Sequence, residues 1–396
     1  MNSDFIPYGR QSVGAEEFRR VREVLESDWL TQGPQVAAFE EGMCQVFGAR
    51  FAVAMSHGTT ALYLACRAAG LGPGDRFLTT PMTFVATANA GVLCGAEPVF
   101  VDIDPDTLNI DLQEVERALQ ADRKIKVFLP VHMGGLVCPL DEIAELCRSQ
   151  GVIVIEDACH AVGSRWQDQS GEWRVTGDSS FSDMTCFSFH PVKNITTGEG
   201  GAVLTNNAQL AAQLRMLRNH GITRESSLVA PDTPPWGYEM QALSLNGRLT
   251  DFQAAIGLVQ LAKLARLKRR RLELVKRYDR ALAALGAIRT QRRPGGEDST
   301  CWHLMIIRAE RRAELYAYLH ERQIKVQVHY LPVHTQPFYR ERFCTGSGDF
   351  PVAEAYYEEA LSLPLYPDLS DADQDRVVAA VKAFYGDKKA GPTEPA

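Results

Sequence analysis

Short apolar runs alternate with amphipathic stretches through the first half of the chain. Phe18, Val21, Val24 and Leu25 recur at helical spacing and predict an early amphipathic helix. From there to about Leu217 seven β-rich runs follow in turn: FAVAM, RFLTT, EPVFVDI, IKVFLPV, VIVIE, MTCFSF and GAVLT. The run from Val152 to Ile155 is apolar throughout, as a strand covered on both faces is. Strands that alternate with helical stretches predict an α/β fold, with a mostly parallel seven-stranded sheet and helices on both faces.

The second half is patterned differently. Val229 to Pro235 is rich in proline and polar residues and reads as a surface excursion. At Asp251 a long helical stretch begins, DFQAAIGLVQLAKLARLKRRRLELVKRYDRALAAL, and links a large domain to a smaller one. Its basic stretch LKRRRLELVKR has leucines interleaved with charge and reads as a solvated helix face. WHLMIIR and KVQVHY predict two strands, with helices around Leu315 and from Val352 to Ala360. The expected division is 1–255, a large α/β domain with an N-terminal arm, and 256–396, a smaller α+β domain whose tail is disordered from about residue 387. A chain of 396 residues exceeds the size at which one core keeps growing, so two domains are expected.

Composition narrows the class. The chain is 45% hydrophobic and 23% charged, as soluble globular proteins are, and its formal net charge of -7 argues against a general nucleic-acid binder. Nine cysteines form no CxxC pair and nine histidines form no HExxH, so no metal site and no disulfide framework is expected. The start, MNSDFIPYGR, lacks the basic and apolar regions of a signal peptide, and no apolar run is long enough to span a bilayer. A cytoplasmic location without membrane or nucleic-acid partners is the expectation.

The candidate chemistry sits where strands end. CFSFHPVKNITTGEGGAVLTN puts Lys193 in a loop of small and hydroxyl residues between two strand-like runs. Burial there would lower the lysine pKa so that a neutral amine can condense with an aldehyde, while Ser188 offers a hydroxyl to a phosphate. The glycines of GEGG allow the backbone to approach a flat ligand closely. Asp157 ends the apolar strand before DACHAVGS, at the edge where open α/β sheets bind ligands. A carboxylate there suits a protonated pyridine nitrogen, the contact that makes pyridoxal phosphate an electron sink. Gly58, Thr59 and Thr60 open an apolar helix whose first amides form a phosphate cup. Phe84 follows RFLTT and offers a stacking face. Singly, these are also a turn, a cap, a capped helix and a core ring. Together each follows a separate strand, so all converge on one edge of one sheet.

These segments, with IPYGRQSV, LTQGP, EDACHAVGS, HGITR and VHYLPVHTQPFY, resemble the DegT/DnrJ/EryC1/StrS sugar aminotransferases, pyridoxal phosphate enzymes of fold type I, from Ile6 to about Tyr385. The resemblance implies Lys193 as the catalytic residue and His160 beside the cofactor hydroxyl, with Glu199 as a further support. Asn246 would reach the phosphate of a neighbouring subunit, which implies a homodimer with shared active sites. Where the family usually has an aromatic between that asparagine and a basic residue, this chain has Gly247 before Arg248, a change expected to loosen the loop. Tyr8, Arg10, Arg224, His329 and Tyr330 are implied for the sugar nucleotide. The pattern is most similar to the transaminases of pseudaminic acid biosynthesis, which implies L-glutamate as donor and a UDP-linked 4-keto-6-deoxy-N-acetylhexosamine as acceptor. Aminotransferases making perosamine or bacillosamine precursors, and a non-catalytic regulator that keeps the cofactor, stay open. Lys193 argues against the related dehydratases, which carry histidine at that position.

Overall fold

The computed structural model describes residues 5–292 and 299–386, and the tail expected from about residue 387 lies outside them. Strands β1 (Phe51–Met55), β2 (Arg76–Thr79), β3 (Glu97–Phe100), β4 (Ile125–Leu129) and β5 (Ile153–Asp157) precede a small hairpin, β6 (Arg165–Gln167) and β7 (Trp173–Val175). Then come β8 (Met184–Ser188) and β9 (Gly201–Thr205). Seven of these form one sheet in the order β1-β9-β8-β5-β4-β2-β3. Parallel pairing joins β8, β5, β4, β2 and β3, whereas β9 is antiparallel to both β8 and β1. The sheet is therefore mostly parallel, and its strands are the seven apolar runs of the sequence.

Helices α1 (Ala15–Leu25) and α2 (Pro34–Phe47) precede the sheet, α3 (Gly58–Ala68), α4 (Val85–Leu93), α5 (Leu112–Ala121) and α6 (Leu140–Arg148) are interleaved with its strands, and α7 (Ala208–Arg218) follows the last of them. The period of two along β1 divides the packing. Val53 and Met55 join Ala61, Leu62 and Ala65 of α3 in one cluster, while Ala52 and Ala54 join Phe39, Met43 and Phe47 of α2 in another. Helix starts are marked by side chains that take up free amides. The Asp111 carboxylate accepts from the N–H groups of Gln113 and Glu114 before α5, and the Asn207 side chain accepts from those of Gln209 and Leu210 before α7.

Helix α8 (Asp251–Leu282) is 32 residues long and serves two cores. Ala254, Leu261, Leu264 and Leu267 pack with β1 and β9, whereas Leu274, Val275, Tyr278 and Leu282 pack in the C-terminal half. Between these stretches the expected solvated face fails at one position: Arg271 is 1% exposed. The rest of the described chain contains the hairpin β10 (Ile222–Thr223) and β11 (Glu239–Met240), and a three-stranded antiparallel sheet of β12 (Ile288–Thr290), β13 (Met305–Ala309) and β14 (Ala360–Leu363). Around that sheet lie α9 (Arg312–Glu321), α10 (Pro337–Phe343), α11 (Pro351–Glu359) and α12 (Asp371–Gly386).

Two expectations change here. KVQVHY does not form a strand; its backbone pairs with β14 at one bridge, where Gln327 and Ser362 exchange hydrogen bonds, and then leaves to wall a cavity. The third strand is instead Ala360–Leu363, directly after α11, which the proline at its first turn and the apolar ALSL run both mark. No helix among the described residues is long and apolar enough to cross a membrane.

Candidate active site

A cavity of about 430 Å³ opens at the carboxyl ends of β1, β2, β5 and β8. Gly58 and Thr59 enter it after β1, Phe84 and Thr87 after β2, Asp157 and His160 from the end of β5, and Ser188 and Lys193 from β8 and its following loop. Tyr8 reaches it from the N-terminal arm. His303, Gln327, His329 and Tyr330 close it from the C-terminal half. Residues from Gly58 to Lys193 meet here because every contributing strand of the large sheet points the same way.

Asp157 is fixed on both oxygens. Oδ2 accepts from the Thr87 hydroxyl at 2.5 Å, and Oδ1 accepts from the Cys159 N–H at 3.1 Å. Thr87 in turn lies 2.7 Å from the Thr83 hydroxyl. In the same cavity, removal of water from around the Lys193 amine lowers its pKa, and the nearby Cys159 and Asp157 oppose that effect in part. Burial, then the charge of Lys193, also holds His160 and His303 well below the usual imidazole range; burial lowers His329 to about 3. His160 Nε2 lies 2.9 Å from the Tyr330 hydroxyl, and His329 Nδ1 lies 2.8 Å from Ser362 Oγ. Burial raises the Cys159 thiol well above its ordinary value, so this pocket cysteine is a neutral packing group.

The glycine-rich loop approaches the chain itself. A Cβ on Gly201 would stand 2.5 Å from the His57 carbonyl oxygen, so β9 can lie against the start of α3 only with glycine there. The cup formed by α3 and Ser188 depends on that contact. A Cβ on Gly58 would likewise meet Ser188 Cβ at 2.7 Å.

The sequence profile of the DegT/DnrJ/EryC1/StrS aminotransferase family matches residues 11–382. The chain belongs to this family. It is 39% identical over 387 residues to the spore coat polysaccharide biosynthesis protein SpsC of Bacillus subtilis (strain 168), covering 96% of each chain. Among solved structures, Helicobacter pylori PseC, an aminotransferase involved in the biosynthesis of pseudaminic acid, superposes with a TM-score of 0.87 at 30% identity, over 96% of this chain and all of that one. The putative sugar aminotransferase Spr1654 of Streptococcus pneumoniae, in its PLP form, gives a TM-score of 0.86 at 28% identity over 96% and 99% of the two chains. A PMP form of Spr1654 matches as well. Aminotransferases of the DegT family depend on pyridoxal 5'-phosphate, and that is the cofactor of this one.

The residues of the cavity fit the group. A carboxylate for the ring nitrogen, an amine for the aldehyde, and helix amides with hydroxyls for the phosphate line the same cavity. His160 Nδ1 is buried with no hydrogen-bond partner among the described residues, leaving a polar atom for a bound ligand.

Not every residue read from the sequence reaches this cavity. Thr60 turns its hydroxyl to Ser56 Oγ, 3.2 Å away, and is not part of the wall. Arg10 is exposed outside it, and Arg224 follows β10 with its guanidinium over the Tyr238 ring at 5.8 Å. Asn246 is exposed, its Oδ1 accepting from the Arg248 N–H at 3.3 Å, and does not enter the chain's own cavity. Gly247 is tied down instead of loose. Its carbonyl accepts from the Ser56 N–H at 2.8 Å and its N–H donates to the Arg218 carbonyl at 2.9 Å. A Cβ would stand 2.9 Å from Thr60 Cγ2, so the space of a side chain is already taken by α3.

Three residues escaped the sequence reading. Thr87 lies one helical turn after Phe84, and that spacing was its available signal. His303 and Arg271 meet Lys193 through contacts across 110 and 78 positions, which no local pattern announces. Arg271 donates to the carbonyls of Trp302, His303 and Leu365 and to that of Lys193. Burial lowers this guanidinium to about 10, so it remains a cation at neutral pH.

Proposed function

We propose that this aminotransferase carries an amino group from L-glutamate to the 4-keto carbon of a UDP-linked 4-keto-6-deoxy-N-acetylhexosamine, in pseudaminic acid biosynthesis for a flagellar or other surface glycan. It works in the cytoplasm as a homodimer, with residues 1–255 as its large domain and 256–396 as its small one. The observation that carries the reading is that Lys193 and Asp157 line one cavity, in a chain that superposes on PseC along almost its whole length.

Bound pyridoxal phosphate supplies an aldehyde for amine attachment and a ring that accepts the electron pair left when a proton leaves the donor's α-carbon. Lys193 Nζ would hold the cofactor through its aldehyde, take the α-proton of the donor, and give a proton back in the second half of the transfer. Asp157, oriented by Thr87 and the Cys159 amide, keeps its charge toward the ring nitrogen. Gly58, Thr59 and Ser188 hold the phosphate, with Asn246 contributed by the partner subunit. Phe84 would offer a stacking face to the ring, and His160 would stand beside its hydroxyl. Tyr8, His329 and Tyr330 form the sugar side of the cavity, with Glu199 at its margin. Arg10 and Arg224 lie outside the cavity within one chain and would serve the diphosphate from a dimer.

The name of SpsC, a protein of spore coat polysaccharide, favours a second reading in which the acceptor is another nucleotide-linked 4-keto-6-deoxy sugar of perosamine or bacillosamine type. Mass analysis of products separates the two. Purified protein with L-glutamate should convert the UDP-linked 4-keto-6-deoxy-β-L-arabino-N-acetylhexosamine to its 4-amino form. Loss of the cofactor's visible band with glutamate, without product from that sugar, would transfer the assignment to the second reading. Lys193→Ala should abolish both turnover and borohydride-trapped cofactor; a fully active variant would sink both readings.

A further inference from the structure

We infer that His303 is a positioning residue for Lys193, whose Nε2–H donates to the lysine amine and holds it in its neutral, proton-accepting form. The inference rests on the reading of Lys193 as the amine that attaches the cofactor and moves the proton.

His303 stands two residues before β13 and is 4% exposed. Its Nε2 lies 3.5 Å from Lys193 Nζ, the outer reach of a hydrogen bond and an ordinary separation before substrate tightens a site. The other ring nitrogen, Nδ1, is buried without a partner among the described residues. A proton placed on Nδ1 would be an N–H buried with no acceptor, whereas a bare ring lone pair is the less costly vacancy. The proton therefore sits on Nε2, facing the lysine. An N–H in that place repels an ammonium and welcomes the lone pair of a neutral amine. Burial keeps His303 itself uncharged.

The ring cannot drift from this place. The His303 main-chain N–H donates to the Gly134 carbonyl at 3.0 Å, and its ring lies 4.5 Å from that of His160. Arg271 then ties both partners to one buried cation, donating to the His303 carbonyl at 3.4 Å and to the Lys193 carbonyl at 3.3 Å. Other groups around the amine act differently. Asp157 favours the ammonium, the Cys159 thiol and the Tyr330 phenol are neutral, and His160 and His329 direct nitrogens to Tyr330 and Ser362. Among these groups, and within the described residues, His303 alone lies within hydrogen-bond distance of Nζ.

The test uses the full chain freed of cofactor, with the rate of Lys193 acetylation by limiting acetic anhydride followed against pH by mass spectrometry. Glutamine places its amide nitrogen near the position of Nε2, asparagine places one near Nδ1, and phenylalanine has none. His303→Asn and His303→Phe should raise the titration midpoint of Lys193 by about one pH unit, so that labelling at neutral pH slows about tenfold, while His303→Gln stays near the parent. Equal midpoints in all four proteins, or a glutamine variant that behaves like phenylalanine, overturn the inference. If His303→Phe fails to fold, the split between Gln and Asn still decides, since a purely structural role lowers melting temperature without separating them. The labelling needs neither donor nor sugar, so a wrong substrate assignment leaves it untouched. Failure to trap cofactor on Lys193 would overturn the earlier reading by itself.

Discussion

His160, His303 and His329 surround Lys193 as uncharged rings, and this has a consequence for acid stability. Their folded pKa values lie below the unfolded value of about 6.5. The unfolded chain then binds more protons in the interval, so stability is complete above about pH 6.5 and falls as pH drops toward the folded values, about 3 for His329. Urea midpoints measured against pH should show this decline, and His329→Gln should flatten it by about one proton. An equal slope in that variant would contradict the burial argument. A second residue follows from Asp157. Thr87→Val removes the hydroxyl that donates to Oδ2 and should weaken cofactor retention about tenfold, read by equilibrium dialysis, because a hydrogen bond to a charged group is lost. Lys193 and Asp157 were legible in the sequence because each follows a strand-like run that fixes its place. His303 and Arg271 were not. The polar company of Arg271 in LKRRRLELVKR described its neighbours on the helix surface, and only the tertiary fold reveals which of the basic residues points inward.

At the scale of elements, the motif LTQGP has a physical account in a buried carboxylate far along the chain. Asp251, at the first position of α8, accepts from the Gly33 N–H at 2.8 Å and the Gln35 N–H at 2.9 Å, while its own N–H donates to the Leu30 carbonyl at 2.9 Å. One side chain thus satisfies the first amides of α2 and sets its negative charge at that helix's positive end. Asp251→Ala leaves those part-buried donors without their acceptor and should lower unfolding free energy by about 1–2 kcal/mol in urea titration. A loss no larger than that of an exposed helix-start carboxylate would refute the account. The seven sheet strands were legible because each is a compact apolar run bounded by turns, and pairing only had to assemble them. KVQVHY carried the same alternation but lies beside β14 for a single bridge, since its side chains are drawn to the cavity wall. Alternation records two different faces; it does not record whether a neighbouring strand is present.

For the whole molecule, the most informative surface is the one around β10–β11. Trp236 is 79% exposed and Leu243 is 77% exposed, with Tyr238 and Met240 nearby and also exposed. Clustered apolar exposure of this kind marks an interaction surface. Asn246 follows directly and does not reach its own cavity. In the proposed dimer this same face carries Asn246 to the partner's phosphate, which makes each site a product of two chains. Co-refolding gives a decisive count. One chain carries Lys193→Ala; the other carries Asn246→Asp, which sets a carboxylate against the phosphate, and each alone should be inactive. Random reassortment makes half the dimers mixed, and each mixed dimer holds one site with an intact Lys193 from one chain and an intact Asn246 from the other. Activity should therefore return to about a quarter of the parent value. If Asn246 instead serves its own chain, every site in the mixture carries a defect and no activity returns, so the recovered fraction distinguishes a shared site from a self-contained one.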